Sequence, residues 1–301
     1  MLLLPGPSWP SFDFFSLNSS RPFTIAGIPI LLKPDSSHAS TLDHAVQTAG
    51  TVWDCGIMMC KFLEYRSYAD EGGPEFQVKG KKVLELGSGL GLLSLTLYHL
   101  GAQAIATDAP EVVPHLVETF QLNGLKVSPL NDLFDPSRLS TNENGIHGGS
   151  VSALPLDWMS PLPPPLLDQN ESPLKFDLLV AADVVWIDDL VTPLAETISR
   201  LLPAPPSCNS IHFQLGSSPS TCSAFRPERP YFLLAHQTRT TRTTNAFFDA
   251  MTARGFAYQR VDDRWLDPSF VKHDAGIFVF WRMCAVGFRV GASCRCGSGR
   301  Q

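Results

Sequence analysis

Apolar and polar positions along the chain follow two periods, and the switches between them mark the elements. Val83, Leu84 and Leu86 form a short, nearly continuous apolar run, the mark of a buried strand. The run breaks at Gly87, Gly89 and Gly91, after which Leu92, Leu93, Leu95, Leu97 and Leu100 continue at helical spacing. A second apolar run, Gln103 to Thr107, ends in Asp108. Strand, glycine turn, helix, strand and acid in this order are the first half of a nucleotide-binding α/β fold. Glycines let backbone N–H groups approach a ligand closely, and an acid at the end of the second strand accepts from ribose hydroxyls.

The rest of the chain continues the alternation. Phe23 to Ile25 and Ile28 to Leu32 flank Ala26-Gly27, which predicts a small β-hairpin within residues 22–33. Asp54 is placed to cap a helix whose apolar side is Ile57, Met58, Cys60, Phe62 and Leu63, and residues 67–79 read as a polar linker. After Asp108 a helix carries Val113, Leu116, Val117 and Phe120 on one face, takes Pro114 in its first turns and stops at Asn123-Gly124. Val151 to Leu156 predict a third strand, closed by Asp157-Trp158. Phe176 to Ala182 predict a buried strand that runs into Asp183-Val184-Val185-Trp186. Asp188 and Asp189 are placed to cap the next helix, with Leu190, Leu194, Ile198 and Leu201 on its inner face. Tyr231 to Ala235 form another strand, followed by Gln237-Thr238-Arg239; at that position Arg239 meets either a substrate or a surface acid. Phe247, Phe248 and Met251 mark a helix ending at Gly255. The last two strands, Phe256 to Val261 and Ile277 to Trp281, have no convincing helix between them, which predicts an antiparallel finish. The expected fold is therefore α/β: a Rossmann-like, seven-stranded, mostly parallel sheet with helices on both faces and an antiparallel last strand. One domain is expected over residues 21–283, with loop insertions at 128–149, 160–173 and 203–229, a loose tail at 1–20 and a disordered tail at 284–301.

Composition narrows the class. With 44% hydrophobic and 17% charged residues, the 301-residue chain has the material for a substantial core. A net charge of −6 makes free nucleic acid an unexpected partner. No stretch approaches the roughly 20 apolar residues of a membrane span, and Met1-Leu2-Leu3-Leu4-Pro5 lacks the basic start of a signal peptide. Cys294-x-Cys296 has no second pair at zinc-binding spacing, and the eight histidines show no ligand spacing either, so no metal site is expected. The seven cysteines read as reduced thiols, which fits a cytoplasmic or nuclear location, and a monomer is expected.

The glycine spacing bears on the nucleotide. The dinucleotide fingerprint is G-x-G-x-x-G/A, whereas the chain has Gly87-x-Gly89-x-Gly91 followed by Leu92. The acid-first form Glu85-x-Gly87-x-Gly89-x-Gly91 resembles the motif of class I S-adenosylmethionine methyltransferases, which favours that cofactor over NAD. More narrowly, the chain resembles the family-16 type of seven-β-strand methyltransferases, which mostly methylate lysine in proteins such as chaperones and translation elongation factors. The resemblance rests on Val52-Trp53-Asp54, Glu85 to Gly91, Thr107-Asp108 with Asn123, Leu156-Asp157-Trp158, and the strand ending Ala181-Ala182-Asp183, and it covers residues 22–282. That family has an acid, two residues, then Tyr or Phe; here the fourth place is Trp186.

The resemblance implies a site. Gly87, Ser88 and Gly89 would take the amino-acid part of S-adenosylmethionine and Asp108 the ribose hydroxyls. Glu85, Gly91, Trp53, Trp158 and Ala182 join the cofactor side by the same resemblance, with Glu85 also placed to fix the loop. Asp183 and Trp186 belong to the acceptor side, where the acid would hold a lysine amine and the indole would pack beside it. The expected partner is a protein substrate. A nicotinamide-type small-molecule N-methyltransferase and a non-catalytic S-adenosylmethionine-binding protein share the same motifs.

Overall fold

The computed structural model describes residues 21–33, 48–68, 76–127, 149–204, 230–271 and 274–283. Strands β1 (Thr24–Ile25) and β2 (Ile28–Pro29) pair antiparallel. The turn between them has positive φ at both Ala26 (54°) and Gly27 (76°), the backbone that lets a two-residue turn follow strand twist. The hairpin is docked onto helix α1 (Asp54–Tyr68): the Ala26 N–H donates to the Glu64 carboxylate at 2.7 Å, and Lys61 Nζ donates to the Thr24 carbonyl at 2.6 Å.

The main sheet contains β3 (Lys82–Leu86), β4 (Gln103–Asp108), β5 (Ser150–Pro155), β6 (Leu178–Ala182), β7 (Tyr231–Gln237), β8 (Phe256–Arg260) and β9 (Ala275–Arg282). Its seven strands lie in the order β5-β4-β3-β6-β7-β9-β8. All neighbours are parallel except at β9, which is antiparallel to both β7 and β8. The expected antiparallel finish is present, and β9 slots between its two predecessors rather than adding to the edge.

Strand alternation sends side chains to two cores. Val83, Leu178, Val180, Tyr231, Leu233 and Ala235 face one core, which they share with α1, α2 (Leu92–His99) and α3 (Val113–Leu122). Leu84, Leu86, Leu179, Ala181, Phe232 and Leu234 face the other, shared with α4 (Asp188–Leu201) and α5 (Thr241–Ala253). Both faces of the sheet are thus covered, which explains why the strand sequences are apolar throughout rather than alternating.

Local chemistry ends most of these elements near where the pattern predicted, but the expected caps of α4 are corrected: Ile187 is its N-cap, without a side-chain cap bond, and Asp188 and Asp189 lie in its first turn, Asp188 accepting from the Thr243 hydroxyl at 2.6 Å. Asn123 caps α3, and its side chain also makes two bonds to the hairpin arm: Leu31 N–H donates to Oδ1 at 3.0 Å, and Nδ2 donates to the Leu31 carbonyl at 2.7 Å. Helix α1 runs on to Tyr68, into the segment expected to be linker. On α4 the buried stripe is Val191, Leu194, Ala195, Ile198 and Leu201, so the expected inner position of Leu190 is corrected to Val191. Residues 160–173 are loop with one short 3-10 turn, Pro164–Leu166, anchored by the fully buried Leu166. The expectations for residues 1–20, 128–148, 205–229 and 284–301 lie outside the described residues.

Candidate active site

The strand order reverses direction between β3 and β6: the chain proceeds from β3 outward to β4 and β5, then returns to the other side of β3. Ligands of open α/β sheets bind beyond the carboxyl ends of the strands at such a point. A cleft of about 220 Å³ opens there. Leu86 pairs with Ala181, which brings the glycine turn after β3 and the Asp183 segment after β6 to the same end of neighbouring strands.

The backbone of the turn favours glycine. Gly87 and Gly89 have φ of 71° and 53°. A Cβ at Gly87 would stand 2.7 Å from Val184 Cγ1, and one at Gly89 3.0 Å from the Ala49 carbonyl oxygen. Gly91, at φ 83°, opens α2, and a Cβ there would stand 3.0 Å from Phe120 and 3.1 Å from Leu116; it does not line the cleft. Of the other residues expected at the site, Trp53, Glu85, Gly87, Ser88, Gly89, Asp108, Trp158, Ala182, Asp183 and Trp186 all line it. Thr48, Ala49, Val184 and Leu190 line it too, without having stood out in the sequence. Thr48 and Ala49 lie in an aperiodic stretch, and Leu190 sits at helical spacing with the core positions of α4, so pattern alone carries no signal for them.

The polar groups are bonded in ways the sequence did not specify. Ser88 N–H donates to the Thr107 carbonyl at 3.0 Å and Gly89 N–H donates to Asp108 Oδ2 at 2.7 Å. These two N–H groups, expected to meet a cofactor, are used within the protein. Asp108 Oδ1 accepts from the Ala109 N–H at 2.8 Å, so each carboxylate oxygen keeps a lone pair for a ribose hydroxyl. Burial pushes the Asp108 carboxyl up, opposed by these two N–H groups. Glu85 is buried beneath the turn and accepts from the Ser94 hydroxyl of α2; burial pushes its carboxyl up to about 8, against the pull of Ser94 and Ser88. Glu85 therefore ties β3 to α2, as its loop-fixing reading implied.

Asp183 has φ 56°, unusual for a residue with a side chain, and this is a strained backbone held by its surroundings. Its N–H donates to the Ala235 carbonyl at 2.9 Å, and its Oδ2 pairs with Arg239. Asp183 Oδ1 is buried with no hydrogen-bond partner, as is Trp158 Nε1. Burial pushes the Asp183 carboxyl up and the Arg239 pair pulls it back. Arg239 also lies over the Trp53 ring, 5.1 Å from its centroid, while Trp53 Nε1 donates to the Thr48 carbonyl at 3.0 Å. The alternatives left open for Arg239 thus resolve to an acid, and a buried rather than a surface one. Trp186, 39% exposed, sits at the cleft's rim. Among the described residues no group of His, Cys, Asp and Glu is placed to hold a metal ion. Cys55 and Cys60 are buried free thiols, and burial pushes Cys60 up to about 12.

A doubly wound sheet with a glycine turn and two carboxylates at its switch point defines a nucleotide-cofactor-binding α/β protein. The chain belongs to a family described as lysine methyltransferase, whose profile matches residues 39–214. It is 28% identical to EEF1A lysine methyltransferase 3 of Xenopus tropicalis over 51% of this chain and 52% of that protein. It is 26% identical to protein N-lysine methyltransferase METTL21A of Danio rerio, over 61% of this chain and 66% of that protein. It is 30% identical to the calmodulin-lysine N-methyltransferase of Arabidopsis thaliana, over 50% of this chain and 42% of that protein. The chain thus spans about half the length of the curated relatives it matches. Among solved structures, the Thermus thermophilus 16S rRNA N2 G1207 methyltransferase in complex with AdoMet and guanosine is 17% identical, with a TM-score of 0.45, over 93% of this chain and 52% of that one.

S-adenosylmethionine is the cofactor that goes with this family, and the residues present fit it. Gly87, Ser88 and Gly89 line the cleft, with Gly87 packed closely against Val184 and Gly89 against the Ala49 backbone. Trp158 Nε1 is an unmatched buried donor in the cleft wall, and Leu90, Leu156 and Val184 are apolar wall. Asp108, with a lone pair left on each oxygen, is placed on the cleft wall for the ribose hydroxyls.

Proposed function

We propose that the protein is an S-adenosylmethionine-dependent N-methyltransferase that methylates a lysine side chain of a protein substrate. The observation that carries this reading is the buried, partnerless Oδ1 of Asp183 in a cleft shared with the glycine turn. An orphaned buried carboxylate oxygen costs free energy, and it persists where a ligand supplies the donor. A lysine Nζ is such a donor. Family membership and the protein-lysine methyltransferases among the relatives support the same acceptor.

Bound S-adenosylmethionine supplies an electrophilic methyl group on a good leaving group. The chain's work is then alignment and exclusion of water. Asp108 holds the ribose end by its free lone pairs, and the Gly87 to Gly89 backbone gives the cofactor close access to β3. Asp183 Oδ1 accepts a hydrogen bond from the acceptor amine, which fixes the direction of the nitrogen lone pair. Trp186 covers the amine from the rim by its ring face. The acting unit is residues 21–283, working as a cytoplasmic or nuclear monomer, readings open to truncation, microscopy and light scattering.

The test is transfer of label from methyl-labelled S-adenosylmethionine into a cell lysate, with the modified residue located by mass spectrometry. Label on a protein lysine, lost in Asp183→Ala while S-adenosylmethionine still binds, is the expected result. Label on a soluble amine points instead to a small-molecule methyltransferase. Tight binding with no transfer in any fraction points to a non-catalytic binding protein.

A further inference from the structure

Arg239 does not line the cleft; it stands behind Asp183. Its guanidinium is held on two sides, by Asp183 Oδ2 and by the Trp53 ring, and its side chain is 25% exposed against 2% for Asp183. Three separate elements meet here: the start of α1 through Trp53, the end of β6 through Asp183, and the segment after β7 through Arg239. The φ of 56° turns Asp183 off the path of β6, and the strand to which Asp183 bonds, through the Ala235 carbonyl, is the one that leads to Arg239.

We propose that Arg239 is a positioning residue for methyl transfer: it clamps Asp183 by Oδ2, which leaves Oδ1 for the acceptor amine. The inference rests on the lysine methyltransferase reading above. Arg is suited to the task because its planar guanidinium stays charged and stacks on an aromatic face while it binds a carboxylate edge-on. A buried carboxylate without this partner would take up a proton, and the orientation of its oxygens would be free. The protonated acid could still donate to an amine lone pair, the pair needed for reaction. Ionised Asp183 can only accept, so it binds the amine through N–H and leaves the lone pair free. The acceptor lysine first loses its ammonium proton to water; the lone pair so exposed forms the new N–C bond, the electron pair of the broken C–S bond leaves with sulfur, and the extra proton of the alkylated product passes to water as it leaves.

Among the described residues, the Gln237 backbone N–H faces Asp183 and favours its ionised form. Asp54 on α1 opposes ionisation of Asp183 and favours the charge on Arg239. Cys55, also on α1, is a buried thiol beside Arg239. His236 on β7 is held neutral at ordinary pH, pushed down to about 4 by burial and by the Arg239 charge.

Arg239→Gln and Arg239→Lys are compared with the full chain for methylation of a protein substrate, S-adenosylmethionine affinity by calorimetry, and the Asp183 carboxyl titration by carbon NMR. We expect Arg239→Gln to lower kcat by about 10- to 100-fold and to move the acid limb of the kcat profile to higher pH. S-adenosylmethionine affinity should change by less than about threefold, and Arg239→Lys should recover part of kcat because it restores the charge but not the stack. The Asp183 carboxyl should titrate at higher pH in Arg239→Gln. In the Asp183→Asn background, adding Arg239→Gln should cost nothing further, because the two residues act as one unit. Additive losses, an unchanged acid limb, or a fall in cofactor affinity equal to the fall in kcat would each overturn the proposal. If the wild-type chain transfers no methyl group to protein lysine, the lysine reading fails, and the NMR titration alone still tests the clamp: an unmoved Asp183 titration sinks it.

Discussion

Ser94 on α2 donates its hydroxyl to the carboxyl group of Glu85 on β3, inside the protein and directly under the glycine turn. The bond joins the first strand of the cofactor half to the helix that follows it. The Thr107 hydroxyl adds a second tie, donating to the Glu85 backbone carbonyl at 2.5 Å and linking β4 to β3. The floor of the site is therefore tied together by side-chain bonds among β3, β4 and α2.

Glu85 makes stability depend on pH. Its folded-state value of about 8 lies above the ordinary 4.5, chiefly through burial. The folded state thus prefers the protonated acid. The associated stability is fully present below pH 4.5 and is lost as pH rises through about 8. Glu85→Gln, which is neutral at every pH, should flatten this fall. Urea midpoints measured across the window should converge or cross, with the variant gaining relative to wild type at the alkaline end. Parallel curves for the two proteins would show that Glu85 does not titrate there.

Gly87→Ala should separate strain from steric closure. A non-glycine residue at φ 71° costs roughly 1–2 kcal/mol, and the new Cβ would press on Val184 Cγ1 at 2.7 Å. S-adenosylmethionine affinity should fall by about tenfold or more, alongside a drop in Tm. Adding Val184→Ala removes the clash but not the φ penalty, so it should restore part of the affinity. Calorimetry on the single and double variants reads both contributions.

Asn123 holds the N-terminal arm by two bonds to Leu31. Asn123→Ala should cost about 1–3 kcal/mol, with loss confined to the hairpin and the end of α3. Hydrogen exchange should show faster exchange at the Leu31 amide and in β1 and β2, with the main sheet unchanged. Asn123→Asp keeps the acceptor and loses the donor, so it should fall between the two.

His236 is buried on β7 and bonded through Nε2 to the Thr244 hydroxyl at 2.9 Å. Its folded-state value of about 4 lies below the ordinary 6.5, so the stability it contributes is complete above 6.5 and is lost as pH falls through about 4. Imidazole NMR should find this ring neutral at pH 5.5–6, an interval in which about half or more of an exposed histidine is charged. A midpoint near 6.5 would show that the ring is open to water.

Much of this site was legible because its parts are local. Glu85 to Gly91, Asp108, Asp157-Trp158 and Asp183 each lie at a strand end, and apolar runs mark strand ends by short-range pattern alone. Arg239 was legible as a residue after a strand, but not as the partner of Asp183, because 56 positions separate them. Leu190 was misread for a related reason: on a helix beside a cleft, a leucine one position off the buried stripe still has an apolar surface to meet.

The sequence by itself determined the alternation of strands and helices, the glycine turn and the acids that follow it, since periodicity and backbone freedom act within a few residues. Only the tertiary structure decided that β9 enters between β7 and β8, that the Ser88 and Gly89 N–H groups are consumed by Thr107 and Asp108, and that Arg239 stacks on Trp53 while it clamps Asp183. These are contacts between groups far apart in the chain. Their energies depend on burial and on which competing partners the fold brings near, and neither exists until the sheet has formed.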